Sequence, residues 1–207
     1  MNCDFGLCNC PSARKINNSQ FRYTFTYINE DSKTVYYDVP KNASTTIRRT
    51  LFGPNEKMSW SGKTEGSIGE YFRFTFCRNP YSRVVSNYIM FTKWVRPKRV
   101  LSEFISDPEE LTFKEFCKFI CIKDNHHWQT QSSYVEGREI DFVGRVENFR
   151  EDFSIVCDKI GAPQQESLHK NKSWHKHYTE YYDDETRQIV EEKYAKDIER
   201  FEYKFGE

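Results

Sequence analysis

Two short segments of the chain combine cationic and hydroxyl side chains in a way that suits phosphate groups. The first, Pro40-Lys41-Asn42-Ala43-Ser44-Thr45-Thr46, follows a β-branched and aromatic run that ends at Val39. Small residues let a backbone curl so that consecutive N–H groups face one anion, and a helix starting just beyond adds the positive end of its dipole. Lys41 supplies a point charge, and the hydroxyls of Ser44, Thr45 and Thr46 supply further donors. The segment contains no glycine and lacks the G-x-x-x-x-G-K-[ST] spacing, so it is not a Walker loop. The second segment is Arg78-Asn79-Pro80-Tyr81-Ser82-Arg83-Val84-Val85-Ser86. Arg78 can grip a phosphate with its planar fork, and Ser86, two helical turns later, can reach the same group with its hydroxyl. Two separate grips imply a ligand with two separated phosphate groups.

Both segments must be carried by strands that lead into helices. Thr34 to Val39 reads as a strand that Pro40 ends, and a helix beginning at Ser44 or Thr45 would turn Ile47 and Leu51 inward until Gly53 and Pro54 stop it. Tyr71 to Cys77 reads as a buried strand, with Asn79 as N-cap and Pro80 at the first helical position of the helix that follows. Phe21 to Tyr27 alternates as a half-buried strand does, and Ile140 to Val146 reads as a further strand. Helices are expected from a Thr112/Glu115 capping box, from Phe149 to Ile160, and as a last single helix from Asp183 with Val190, Tyr194, Ile198 and Phe201 inward. Residues 53 to 70 and 122 to 138 read as loops. Strands alternating with helices predict an α/β fold of three layers, with a central mainly parallel sheet flanked by helices and ligand-binding turns at the carboxyl ends of its strands.

Composition narrows the partners. The 207 residues suit a single domain over 1–207, with 1–20 as a flexible N-terminal segment. Lys plus Arg equals Asp plus Glu at 31 each, so no global field favours nucleic acid or an anionic membrane. No run of about 18 apolar residues occurs, and Met1 to Pro11 lacks the features of a secretory signal, which leads to the expectation of a soluble, cytoplasmic protein. Seven cysteines, an odd and scattered number, argue against a disulfide framework. Cys3, Cys8 and Cys10 lack a clear fourth ligand, and His169, His175 and His177 have no carboxylate or thiol at ligand spacing, so no metal site is expected.

In this order and register the two segments resemble the signatures of sulfotransferases that use 3′-phosphoadenosine 5′-phosphosulfate (PAPS), specifically the carbohydrate branch, sulfotransferase family 2. His127-Trp128, the stretch Asp141-Phe142-Val143-Gly144-Arg145-Val146-Glu147 and a Tyr-rich C-terminal region extend the resemblance from Thr34 to Phe205. It implies a P-loop-like sulfotransferase fold. It also implies that Lys41, Asn42, Ala43, Ser44, Thr45 and Thr46 hold the 5′-phosphosulfate, that Arg78 and Ser86 hold the 3′-phosphate, and that the product is adenosine 3′,5′-bisphosphate (PAP). Thr130 and Tyr134 stand where relatives carry Pro and Cys. Golgi relatives begin with a membrane anchor, so a Golgi lumen is expected only of a longer chain.

Sulfuryl transfer needs a cation at the bridging oxygen and a base at the acceptor hydroxyl, and no metal. Lys41 fits the first role. For the base, His127 is a candidate because an imidazole titrates near ~6.5, with Trp128 beside it as a surface for a sugar. Glu65 and Glu70 are rivals in the Gly-rich loop. Arg145 would leave the Ile140–Val146 strand near the donor or make an ordinary salt bridge, and Lys172 and Ser173, in a basic loop that begins at His169, would close over the nucleotide or form a plain surface loop. Arg83 either assists the 3′-phosphate or pairs with an acid. The acceptor would be a carbohydrate or glycan. A P-loop-type nucleotide or small-molecule kinase, and a catalytically silent module binding glycans or nucleotides, remain the alternatives.

Overall fold

The computed structural model describes residues 14–16, 20–22, 25–53, 69–93, 101–102, 105–163 and 176–207. Cys3, Cys8, Cys10, Glu65, His169, Lys172, Ser173 and His175 lie outside the described residues. In chain order the elements are β1 (Arg14–Ile16), β2 (Gln20–Arg22), β3 (Phe25–Asn29), β4 (Thr34–Asp38), α1 (Ser44–Leu51), β5 (Phe72–Cys77), α2 (Pro80–Lys93), α3 (Phe113–Ile122), α4 (Gln131–Val135), β6 (Phe142–Arg145), α5 (Phe149–Ile160), α6 (Asp184–Lys193) and α7 (Ala195–Phe201). They fall into two compact units, one of Thr24–Arg78 and Ser133–Trp174, the other of Met1–Tyr23, Asn79–Ser132 and His175–Glu207.

The first unit is built on a mixed sheet of order β3-β4-β5-β6, antiparallel in the first pair and parallel in the next two. Its register lines up Tyr27, Tyr36, Phe74 and Phe142 on one face. Ile47 and Leu51 of α1 and Phe153, Val156 and Cys157 of α5 cover that face. Aromatic rings take the volume that aliphatic side chains would otherwise fill: Tyr36 and Phe74 stack at 4.9 Å, and Phe76 meets Phe149 at 5.3 Å. Each such burial contributes about 1.5–3 kcal/mol. The other face carries Val35, Tyr37 and Tyr71. The result is the α/β fold expected of the sequence, with its parallel pairs in the centre.

The second unit is helical. α2 begins as its sequence predicts, because the Asn79 Oδ1 accepts the Tyr81 N–H at 3.0 Å and Pro80 needs no donor of its own. α3 carries the full Thr112/Glu115 capping box. Val84, Val85, Phe91, Phe116, Trp128, Val190 and Tyr194 form the core of this unit. The single last helix expected from Asp183 is instead two helices meeting at Tyr194, which leaves helical geometry at φ −110° and ψ 21°. The buried Tyr194 hydroxyl donates to the Trp128 carbonyl at 2.7 Å, a contact that fixes the ring where the helix breaks. Likewise the Phe21–Tyr27 alternation is shared between β2 and β3 rather than forming one strand.

Candidate active site

β4 and β5 are adjacent and parallel, so their carboxyl ends emerge side by side. From β4 the chain turns through Pro40 to Ala43 into α1. Lys41 has φ 74° and Ala43 φ 60°, with Asn42 between them on the negative-φ side. This alternation bends the chain sharply into α1, and the Asn42 N–H within it donates to the Val39 carbonyl at 3.2 Å. α1 then presents its N-terminus, with Thr46 and Ile47 amides already bonded to the Ala43 carbonyl.

Several bonds hold this turn to the sheet. Asn42 is fully buried and its Nδ2 donates to the Phe76 carbonyl on β5 at 2.7 Å. The Ser44 hydroxyl donates to the Val39 carbonyl at 3.0 Å. Beneath them lies Asp38, buried at the end of β4, accepting from the Tyr36 hydroxyl at 3.2 Å and facing Arg48 at 3.7 Å. Burial raises the Asp38 carboxyl above its ordinary range, against the opposing pull of Ser44, Arg48 and Tyr36. Arg48 in turn donates from Nη1 to the Tyr27 hydroxyl at 2.8 Å.

The second segment meets the first at Arg78. Its Nη1 donates to the Lys41 carbonyl at 3.3 Å, so the guanidinium lies against the turn after β4. Arg145, paired with Cys77 in the β5–β6 register, ends its strand at the same edge, where its N–H donates to Asp152 Oδ2 at 2.5 Å. Glu70 sits elsewhere: it is exposed and precedes β5, at the far end of a strand whose six residues span roughly 20 Å. The structure does not bring it to the Lys41 and Arg78 edge.

In the helical unit, Ser86 is half-buried on α2, two turns past its start. Arg83 lies on the same helix. It is buried and spends its fork on main-chain carbonyls, Nη1 to Gln129 O at 2.7 Å and Nη2 to His127 O at 3.1 Å. Trp128 is likewise no sugar platform, being 2% exposed, packed between Phe91, Phe116 and Phe119, and bonded through Nε1 to the Lys123 carbonyl at 2.7 Å. His127 is half-buried, with its ring edge-on to Phe91 and Nδ1 2.9 Å from Asn125 Oδ1. His126 is buried against it, ring centroids 3.8 Å apart, and burial together with the Arg83 charge lowers its pKa to about 4.

A family model described as the sulfotransferase family matches residues 24–204 of the chain. The chain belongs to the sulfotransferase family. Among individual relatives, this sulfotransferase is 25% identical over 132 residues to carbohydrate sulfotransferase 14 of Danio rerio, covering 54% of this chain and 36% of the relative. It is 24% identical over 184 residues to carbohydrate sulfotransferase 11 of Mus musculus, covering 65% of this chain and 52% of the relative. It is also 33% identical over 97 residues to an uncharacterized protein of Archaeoglobus fulgidus, covering 46% and 72%. The chain thus spans about half or less of the two named sulfotransferases. No solved structure matches it significantly. No described helix is long and apolar enough to cross a membrane, and no cluster of His, Cys, Asp and Glu among the described residues is arranged to hold a metal ion.

Asp38, Arg48 and Asn125 were not singled out by the sequence reading of this sulfotransferase. Asp38 comes just before the Pro40–Thr46 turn and looks like an ordinary strand-end acid. Only the tertiary fold shows it buried beneath Ser44. Asn125, two residues before His127, fits the Asx-turn pattern in which a side-chain oxygen accepts a following N–H, and this was the available signal.

Proposed function

We propose that both units act as one sulfotransferase domain over 1–207 that moves the sulfuryl group of PAPS to a hydroxyl of a carbohydrate or glycan. The observation that carries this reading is the hydrogen bond from Arg78 to the Lys41 carbonyl, which joins the turn after β4 to the cation after β5. A donor with a phosphosulfate at one end and a second phosphate at the other needs two cationic grips on neighbouring strand ends. The two relatives named as carbohydrate sulfotransferases support a carbohydrate acceptor.

In this reading the amides of Lys41 and of Ala43 to Thr45, with the hydroxyls of Thr45 and Thr46, orient the 5′-phosphosulfate, Asn42 and Ser44 hold that turn in shape, and Arg78 with Ser86 takes the 3′-phosphate. Arg145, Lys172 and Ser173 add donor contacts. The acceptor oxygen forms a bond to sulfur in line as the bond from sulfur to the bridging oxygen breaks. The electron pair stays on that oxygen, which becomes part of the 5′-phosphate of PAP. Lys41 stabilises the charge growing there. The acceptor's proton passes to His127, and this base contributes on the order of 10²-fold or more in rate.

The test is transfer of labelled sulfate from PAPS to a panel of glycans, beside calorimetry with PAP and with ATP plus Mg²⁺. Transfer that is lost in Lys41→Ala and weakened in Arg78→Ala, with PAP preferred over ATP, supports the reading. Unaltered transfer in both variants overturns the donor site. Preference for ATP with Mg²⁺ points to a kinase, and PAP binding without transfer to any acceptor points to a silent module.

A further inference from the structure

The stretch 125–129 is held more firmly than a surface loop requires. His127 O accepts from Arg83 Nη2 at 3.1 Å and from Asn87 Nδ2 at 2.9 Å. Trp128 O accepts from the Tyr194 hydroxyl at 2.7 Å, and Gln129 O from Arg83 Nη1 at 2.7 Å. Three consecutive carbonyls are therefore each bound by a buried side chain of the helical unit. The main chain at His127 is fixed in place, so the direction of its ring depends on what the ring nitrogens meet.

One of those partners can be assigned by elimination. The His127 backbone N–H, which can only donate, points at the outer atom of the Asn125 amide at 3.0 Å. That atom must be the oxygen, because an NH₂ there would set two donors face to face. The same Oδ1 lies 2.9 Å from His127 Nδ1. Two acceptors would repel at that distance, so Nδ1 carries the hydrogen and donates it. In a neutral imidazole the lone pair then belongs to Nε2.

From this geometry we infer that Asn125 is a positioning residue of the sulfotransferase reaction, selecting the Nδ1–H tautomer of His127 so that Nε2 takes the acceptor's proton. The inference rests on His127 being the base. Asn125 does not touch substrate. It acts through His127, as an orienting group behind a catalytic imidazole does. The neighbouring His126, its ring tilted against that of His127, is buried and is not assigned this part.

The experiment uses the full chain, ¹⁵N-labelled at histidine, with PAP bound. Long-range ¹H–¹⁵N spectra distinguish the two neutral tautomers of each imidazole directly, with no reference to activity. The expected result is an Nδ1–H His127 in the wild type and in Asn125→Asp, which keeps an acceptor oxygen in place. In Asn125→Leu, of similar volume without the acceptor, the Nδ1–H population falls. The kcat then drops about 10-fold or more, up to the roughly 10²- to 10⁴-fold worth of a general base, while KM for PAPS is unchanged. A wild-type Nε2–H tautomer overturns the inference, as does an Asn125→Leu variant with full kcat. An Nδ1–H tautomer together with full kcat in His127→Ala also overturns it, because the base then lies elsewhere. Failure of the donor reading is a separate result: PAP does not bind the wild type at all.

Discussion

Gly144→Ala is expected to disturb the Pro40–Thr46 turn from the other side of β5. A Cβ built on Gly144 would lie 2.5 Å from Cε1 and 2.6 Å from Cζ of Phe76, well inside contact distance. Phe76 has no room to yield, being fully buried between Phe74, Phe149 and Phe153. Overpacking of this kind costs about 1–3 kcal/mol. In a chain of this size each kcal/mol lowers Tm by about 2–4 °C, so a fall of about 2–12 °C is expected in a thermal melt. The Phe76 carbonyl is also the acceptor that holds Asn42, so a shifted Phe76 should weaken PAP binding in calorimetry although Gly144 is outside that turn. Adding Phe76→Leu makes room for the methyl group, and the double variant should be more stable than the sum of the single effects by about 0.5–3 kcal/mol. A Gly144→Ala protein melting within about 1 °C of wild type, with PAP affinity intact, would refute the reasoning.

Arg78→Ala should weaken PAP about 10- to 100-fold by calorimetry, the worth of about 1.5–3 kcal/mol for hydrogen bonds to a charged group, and an unchanged affinity removes Arg78 from the donor site. His126, neutral and buried, has a folded pKa near 4 against an ordinary value of 6.5, so its contribution to stability is full above about pH 6.5 and is lost as pH falls toward 4. The loss amounts to about 3 kcal/mol in denaturant titrations, and His126→Gln should flatten that acid limb. Asp38 carries the opposite sign: its raised folded pKa means stability is lost as pH climbs past the ordinary carboxylate range, and Asp38→Asn should remove that loss while leaving the acid limb of His126 in place. Thr112→Ala should cost about 1 kcal/mol of stability by removing the α3 cap, with no effect on PAP affinity.

How much of this was legible in the sequence differs between backbone and side chains. The strand, turn and helix around each phosphate segment are written locally, in Pro40 after a β-branched run and in Asn79-Pro80 after Cys77, and the structure has them within a residue or two. The destinations of side chains are not local. Arg83 is an ordinary helical cation by sequence, and only the packing of 125–129 beside α2 turns its fork to two carbonyls. Trp128 beside a histidine suggests a sugar surface until its ring is found enclosed by phenylalanines. Tyr194 fits a helical face by period, yet a bond from its hydroxyl made across the unit accompanies a break in that helix. The orientation of His127 depends on an oxygen two residues away, a relation that is local in sequence but silent until the backbone angles are known.

The Pro40–Thr46 turn shows how a loop can hold left-handed backbone without glycine. Left-handed backbone at an L-residue costs roughly 1–2 kcal/mol, and this loop takes that conformation at both Lys41 and Ala43. Glycine would remove the strain but leave the turn free to relax when no anion is bound. Here the strain is opposed by bonds that do not involve the ligand: Asn42 to Phe76, Ser44 to Val39, and Arg78 to Lys41. At about 0.5–1.5 kcal/mol each, and more for the guanidinium, they are of the size needed to hold two left-handed residues. A turn held this way keeps its shape through bonds of its own. In the donor site proposed for it, that order would lower the barrier to a transfer in which positioning and fixed charge do most of the work.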